Sequence, residues 1–282
     1  MPDNFKSKKQ EVSEQELPYI DVAHIMECLV LRAMSEVTPL LQYFLRCVSL
    51  TPEIFDSTYR AELVCRGLAG RVNAIAELYG KDDAITEISP TSIQVVQFFD
   101  SLANQLNDAL GHKTKGDITF VLLENSEENA VFDTRRMSMI VYHLVANAIQ
   151  HGRTKNKNVQ LRVMSSPERF ELTVRDYGGG IPPEIQPKIF TRFKEEFNLN
   201  RQRLGILPPV VKGLGLPLCR KLASDMGGEL RFRNYRNGAQ FTVSIPQPVT
   251  GLYEPSDYKP DMTMLMQCIA PLLLEISQNP EL

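Results

Sequence analysis

Residues 20–49 place Val22, Ile25, Leu29, Ala33, Val37, Leu40, Phe44 and Val48 at steps of three or four, the spacing of one helical face. Pro39 lies inside this run and predicts a kink, because proline removes a backbone donor and clashes one turn back. Thr51-Pro52-Glu53 then reads as a fresh helix start: Thr51 as the cap, Pro52 at the first helical position, Glu53 on the positive end of the dipole. Leu63, Leu68, Val72, Ile75 and Leu78 give the second helix its stripe, and Gly80 is its stop. Gly67 and Gly70 weaken it by about 1 kcal/mol each relative to alanine. Such a helical hairpin carries two apolar stripes that it cannot bury alone. Two copies would form a four-helix bundle. The other solution is one hairpin packed on the rest of its own chain. The expectation is a homodimer through residues 20–80.

From residue 91 the texture changes to mixed helix and strand. Residues 92–110 carry a helical stripe of Ile93, Val96, Phe99, Leu102 and Leu106. Ile118–Leu123 and Val131-Phe132 read as strands. A helix over 134–151 opens at Asp133 or Thr134. Val159–Met164 and Phe170–Val174 alternate as strands. A loop-rich stretch spans 176–212. Leu214–Met226 is a helix closed by Gly227-Gly228, and Leu230–Phe232 and Phe241–Ile245 complete a mixed, mainly antiparallel sheet. Helices segregated from such a sheet predict a two-layer α/β sandwich, so the fold class is α+β. A Pro-rich linker leads to a last helix from Asp261, interrupted by Pro271. The domain boundaries expected are a loose tail over 1–18, the hairpin over 19–85, the α/β domain over 86–246, and a linker and terminal helix over 247–282.

Composition removes several function classes. With Lys plus Arg at 31 and Asp plus Glu at 34, there is no basic footprint for nucleic acid or an acidic membrane. No apolar run approaches the roughly 18–20 residues of a membrane span, and Met1–Glu16 has no secretory h-region. The five cysteines are odd in number and widely spaced, so neither a CxxC metal site nor a redox pair is present. They read as buried thiols of a reducing compartment, and the expected location is cytoplasmic.

Three segments concentrate polar chemistry. His143, Asn147 and His151 recur every four residues on one helix and project from one face. Asp176-Tyr177-Gly178-Gly179-Gly180-Ile181-Pro182 follows a strand as a glycine-rich turn. Lys212-Gly213-Leu214-Gly215-Leu216 opens a helix whose backbone amides can receive phosphate. Each alone has an ordinary structural explanation: a polar rim, a turn, a helix start.

Their order is more telling. An Asn-bearing helix, a strand ending in DxGxGIP, the aromatic pair Phe190 and Phe193, then a glycine-rich helix start: this set resembles the GHKL ATPase superfamily, most closely the ATP-binding (Bergerat-type) domain of bacterial sensor histidine kinases, over residues 91–246. The resemblance implies ATP and Mg²⁺ as cofactors. It makes Asn147 the N-box residue that holds Mg²⁺ on the phosphates, with His151 beside it. Asp176 accepts from the adenine amino group, and Gly178, Gly180 and Ile181 line the nucleotide. Phe190 and Phe193 hinge a lid over 194–212 carrying Lys194, Arg201, Arg203 and Lys212. Gly213, Gly215 and Leu216 form the second glycine box.

The resemblance extends to the hairpin, with departures. Histidine kinases carry their phosphoacceptor five residues before a kinking proline, in a pattern like HExxTPL. Here Thr38-Pro39-Leu40 is present, but Met34 stands at the acceptor position and Ser35 at the acid. His24 is the only histidine of that helix. His143 replaces the first Asn of the N box, Gln150 a basic residue that touches phosphate, and Val211 the first glycine of the second box. The implied function is a soluble histidine-kinase-like protein of two-component signal transduction with impaired or absent autophosphorylation, working with a response regulator or sensor protein. The alternatives are a non-catalytic dimeric adaptor that docks a regulator and, third, an anti-sigma-type serine kinase.

Overall fold

The computed structural model describes residues 37–38, 41–42, 51–79, 87–111, 118–123, 126–151, 159–190, 213–235, 238–248, 253 and 257–278. Most of the first hairpin helix lies outside this set, including Met34, Ser35, Pro39 and His24, as do Phe193, the expected lid and Lys212. The second hairpin helix, α1, spans Pro52–Tyr79. Its start is the expected one, with the Ile54 amide 3.5 Å from the Thr51 hydroxyl. Gln42 donates to Glu62 of α1 at 3.1 Å.

The α/β unit comprises β1 (Pro90–Gln94), α2 (Val95–Leu110), β2 (Ile118–Leu122), β3 (Asn129–Asp133), α3 (Thr134–His151), β4 (Val159–Ser165), β5 (Arg169–Arg175), α4 (Gly215–Asp225), β6 (Glu229–Tyr235) and β7 (Gly238–Pro246). Strands β2-β4-β5-β7-β6 form one sheet, parallel only at β2-β4. Strands β1 and β3 pair separately. Helices α2, α3 and α4 pack on one side, giving the expected two layers. An aromatic cluster joins them: Phe98, Phe99, Phe132 and Phe170 are buried, with Phe132 and Phe170 ring centres 4.9 Å apart.

The start of this unit corrects the sequence expectation. Ile93 belongs to β1, not to a helix. Val96 is exposed, whereas Phe99, Leu102 and Leu106 of the expected stripe are buried, joined by Val95 and Phe98. Strand β1 is held by pairing to β3, a partner 35 to 43 residues away in sequence that a local pattern does not reveal.

The last helix, α5, runs unbroken over Met262–Gln278 with Pro271 inside it, correcting the predicted interruption. Asp261 caps its start, accepting from the Thr263 and Met264 amides at 2.9 and 3.0 Å. Helix α5 packs against both α1 and α3. Pro271 cannot donate to the carbonyl one turn back, which is that of Gln267. That carbonyl faces Gly70 of α1 so closely that a Cβ there would collide with it. A Cβ at Gly67 would lie 3.4 Å from the Pro271 ring. Asn73 donates to the Gln267 side chain at 3.0 Å. The glycines of α1 therefore serve close helix approach.

Helix α1 is therefore covered by another helix of its own chain, as in the second of the two solutions for the hairpin. The face of α1 that becomes buried holds Leu63, Gly67, Ala74 and Leu78, while Leu68 of the expected stripe is exposed. Among the described residues, the hairpin segment exposes the apolar Val37, Ile54, Phe55 and Leu68.

Candidate functional site

Helix α3 carries the first group of site residues. Asp133 caps it: Oδ1 accepts from the Arg136 amide at 2.9 Å, and Oδ2 from the Arg136 guanidinium at 2.6 Å and the Ser89 amide at 3.1 Å. The helix is thereby anchored at its start, and its far half presents His143, Asn147 and His151. His143 and Asn147 are half-buried; His151 is exposed at the helix end. Gln150 donates to Glu275 of α5 at 2.6 Å. The residue standing where histidine kinases often carry a basic side chain thus ties α3 to the terminal helix.

Helix α4 starts beside that face. Gly213 takes φ +100°, a conformation that costs glycine little. Helix α4 begins at Gly215 with no side-chain cap, so its first amides remain available to an anion. A Cβ on Gly215 would sit 3.5 Å from His143 Nδ1. The two expected segments, residues 143–147 and 213–215, are therefore neighbours. Leu216 is partly buried against the core. Burial holds the His143 imidazole down to about 4, so it is neutral near pH 7.

The third segment is a loop locked from two sides. Asp176 is buried, and its Oδ1 accepts from the Gly178 amide at 2.9 Å and the Ala239 amide at 3.0 Å. The Asp176 amide in turn donates to the Ala239 carbonyl at 3.0 Å. Gly238 lies flush against the Asp176 backbone, where a Cβ would collide. Gly179 and Gly180 take φ of +90° and +84°. Ile181 packs partly buried against the core. Its amide donates to Asn234 Oδ1 at 2.9 Å, and its carbonyl accepts from Asn234 Nδ2 at 3.0 Å and Gln186 Nε2 at 2.8 Å.

Phe190 closes the described part of this edge. Its ring lies 6.0 Å from Phe232, with the Arg220 guanidinium 5.3 Å over it. Phe193 and Lys212 lie outside the described residues, as do Met34 and His24. The sequence did not single out Asn234, Gly238 or Gln186. The Asn237-Gly238 pair in the sequence was the one available signal for the second. Among the described residues no group of three or more His, Cys, Asp or Glu is placed to hold a metal, and no helix is long and apolar enough to cross a membrane.

With this geometry in view, the family model described as "Histidine kinase-, DNA gyrase B-, and HSP90-like ATPase" matches residues 132–249. The chain is 32% identical over 120 residues to the signal transduction histidine-protein kinase AfsQ2 of Streptomyces coelicolor, covering 42% of this chain and 21% of that protein. It is 30% identical over 186 residues to the circadian input-output histidine kinase CikA of Synechococcus elongatus, covering 64% of this chain and 24% of that protein. The chain thus spans about a quarter or less of these relatives' length. The fold is similar to that of full-length ShkA, solved in complex with AMPPNP, with a TM-score of 0.61 at 18% identity over 82% of this chain and 46% of that one.

Proposed function

From the premise that residues 132–249 form a domain of the histidine kinase-, DNA gyrase B- and HSP90-like ATPase family, we propose that this chain binds Mg·ATP at the edge formed by α3, the 176–182 loop and the start of α4. The observation that carries this is the state of Asp176. Its Oδ1 is committed to two backbone amides, which fixes the carboxylate and leaves Oδ2 to accept from an adenine amino group. A 6-keto purine presents an acceptor where adenine presents its amino donor, so the site favours adenine. Gly178, Gly180 and Ile181 line the base, and Phe190 borders the opening. The uncapped start of α4 at Gly213, Gly215 and Leu216 takes the phosphates, with Lys212 and Phe193 assigned to the lid. Asn147 supplies a hard amide oxygen, which suits Mg²⁺, an ion that keeps waters and shares phosphate oxygens rather than filling a protein cage. When bound, the ion neutralises charge on the phosphates.

The chain accordingly serves two-component signalling as a histidine-kinase-like nucleotide-binding protein, dimeric through the exposed apolar residues of the hairpin, with impaired or absent autophosphorylation. Phosphoryl transfer requires a nucleophile in line with the γ-phosphate, and Met34 has none. A second reading, a non-catalytic adaptor docking a response regulator, is favoured by α5. That helix ties α1 to α3 through Asn73–Gln267 and Gln150–Glu275, which opposes any swing of the ATP-binding layer toward the hairpin. Labelling with [γ-³²P]ATP separates the two. The wild type is expected to stay unlabelled, and Met34→His with Ser35→Glu to gain an acid-labile phosphate if transfer geometry is retained. An unlabelled rescue supports the adaptor. Label on wild-type histidine would overturn the account of Met34 and direct attention to His24.

A further inference from the structure

The base-side loop is held in place by a side chain that no motif of the site includes. Asn234 lies on β6, 53 residues from Ile181, yet its amide faces that residue's backbone from both ends. Oδ1 accepts from the Ile181 amide at 2.9 Å and Nδ2 donates to the Ile181 carbonyl at 3.0 Å. The pair copies the two-bond exchange between strands, with a side chain standing in for a strand. The fit extends one residue back: a Cβ on Gly180 would lie 3.1 Å from Asn234 Cγ, so the loop lies against the amide plane as only glycine allows without displacement. Gln186 supplies a second donor to the same Ile181 carbonyl at 2.8 Å.

We propose that Asn234 is a positioning residue for purine recognition: by clamping Ile181 it fixes the 178–181 backbone, and with it the Gly178 amide that orients Asp176. This deepens the nucleotide-site reading and rests on it. Asn234 touches no ligand in this scheme. It acts because Gly179 and Gly180 both sit at positive φ, so the loop has no side-chain stiffness of its own. An unclamped loop must be ordered when nucleotide binds, and that cost falls on the binding constant. Because Asp176 reads the amino group, the cost falls on adenine and not on phosphate.

The test is calorimetric titration of the full chain with Mg·ADP and, separately, Mg·GDP, for wild type, Asn234→Ala, Asn234→Asp and Gln186→Ala. Asn234→Ala is expected to weaken ADP about fivefold, the size of one net neutral hydrogen bond, and to leave GDP nearly unchanged, so that the ADP-over-GDP preference narrows. Asn234→Asp keeps an acceptor for the Ile181 amide but sets a carboxylate oxygen against the Ile181 carbonyl, and is expected to weaken ADP at least as much as Asn234→Ala. Gln186→Ala shifts the preference in the same direction by less. The urea midpoint of each ligand-free variant should stay near wild type, since Asn234 is solvent-exposed. An unchanged ADP-over-GDP preference in Asn234→Ala would overturn the proposal. Equal weakening of ADP and GDP together with a lowered urea midpoint would also overturn it, by showing a general structural role. Failure of the wild type to bind either nucleotide would instead refute the site itself.

Discussion

Gly67 and Gly70 lie one turn apart on α1, and replacing each by alanine should move stability in opposite directions. In an exposed helix either change stabilises by about 1 kcal/mol, because alanine loses less backbone entropy on folding. Against α5 the two sites differ. At Gly67 the new Cβ meets the Pro271 ring at 3.4 Å, an ordinary contact, so most of the gain is retained. At Gly70 the Cβ collides with the Gln267 carbonyl. That oxygen is backbone and cannot rotate away, and overpacking of this kind costs roughly 1–3 kcal/mol. The net for Gly70→Ala is therefore a loss of roughly 0–2 kcal/mol once the propensity gain of about 1 kcal/mol is subtracted. The variants should differ by roughly 1–3 kcal/mol, the overpacking cost itself, resolved as a shift in urea midpoint followed by far-UV circular dichroism. If Gly70→Ala stabilises as much as Gly67→Ala does, α5 does not pack on α1 and the covered hairpin is wrong.

Two further outcomes follow from the α3 face. Asp133→Ala leaves Arg136, only 4% exposed, without its carboxylate, and should cost about 3–5 kcal/mol in urea unfolding, as for other broken buried pairs. His143 has a folded-state value lowered by burial from 6.5 to about 4. Between these values the unfolded chain binds the proton and the folded chain does not, so stability falls as pH drops from 6.5 toward 4. His143→Asn should flatten that stretch of the pH profile; an unchanged difference between pH 7 and pH 5 would refute an imidazole held neutral in the fold.

Much of the α/β unit is legible because local signals and tertiary need agree. Asp133 precedes the α3 run and does cap it, and the period-two alternation over 159–164 and 170–174 survives as β4 and β5. The failures come where a distant partner decides. Pro271 read as a breaker because the sequence does not show that α1 would bring a glycine face to the helix at that point. Gly67 and Gly70 read as weaknesses for the same reason. Their partners lie about two hundred residues away, as the 194-residue separation of Asn73 and Gln267 illustrates. In the candidate site, Asn147, Asp176 and Gly215 carry signals of residue type and order. Asn234 carries none: a polar residue near an Asn-Gly turn is ordinary, and its role exists only once β6 lies beside the 176–182 loop.

The most direct test of the nucleotide site is calorimetric titration of Mg·ADP into the wild-type chain and into Asp176→Asn. The account predicts saturable wild-type binding, with Asp176→Asn weaker by roughly 1.5–3 kcal/mol, the range for a hydrogen bond to a charged group. No binding by the wild type at millimolar ADP, or equal binding by the two proteins, would contradict it.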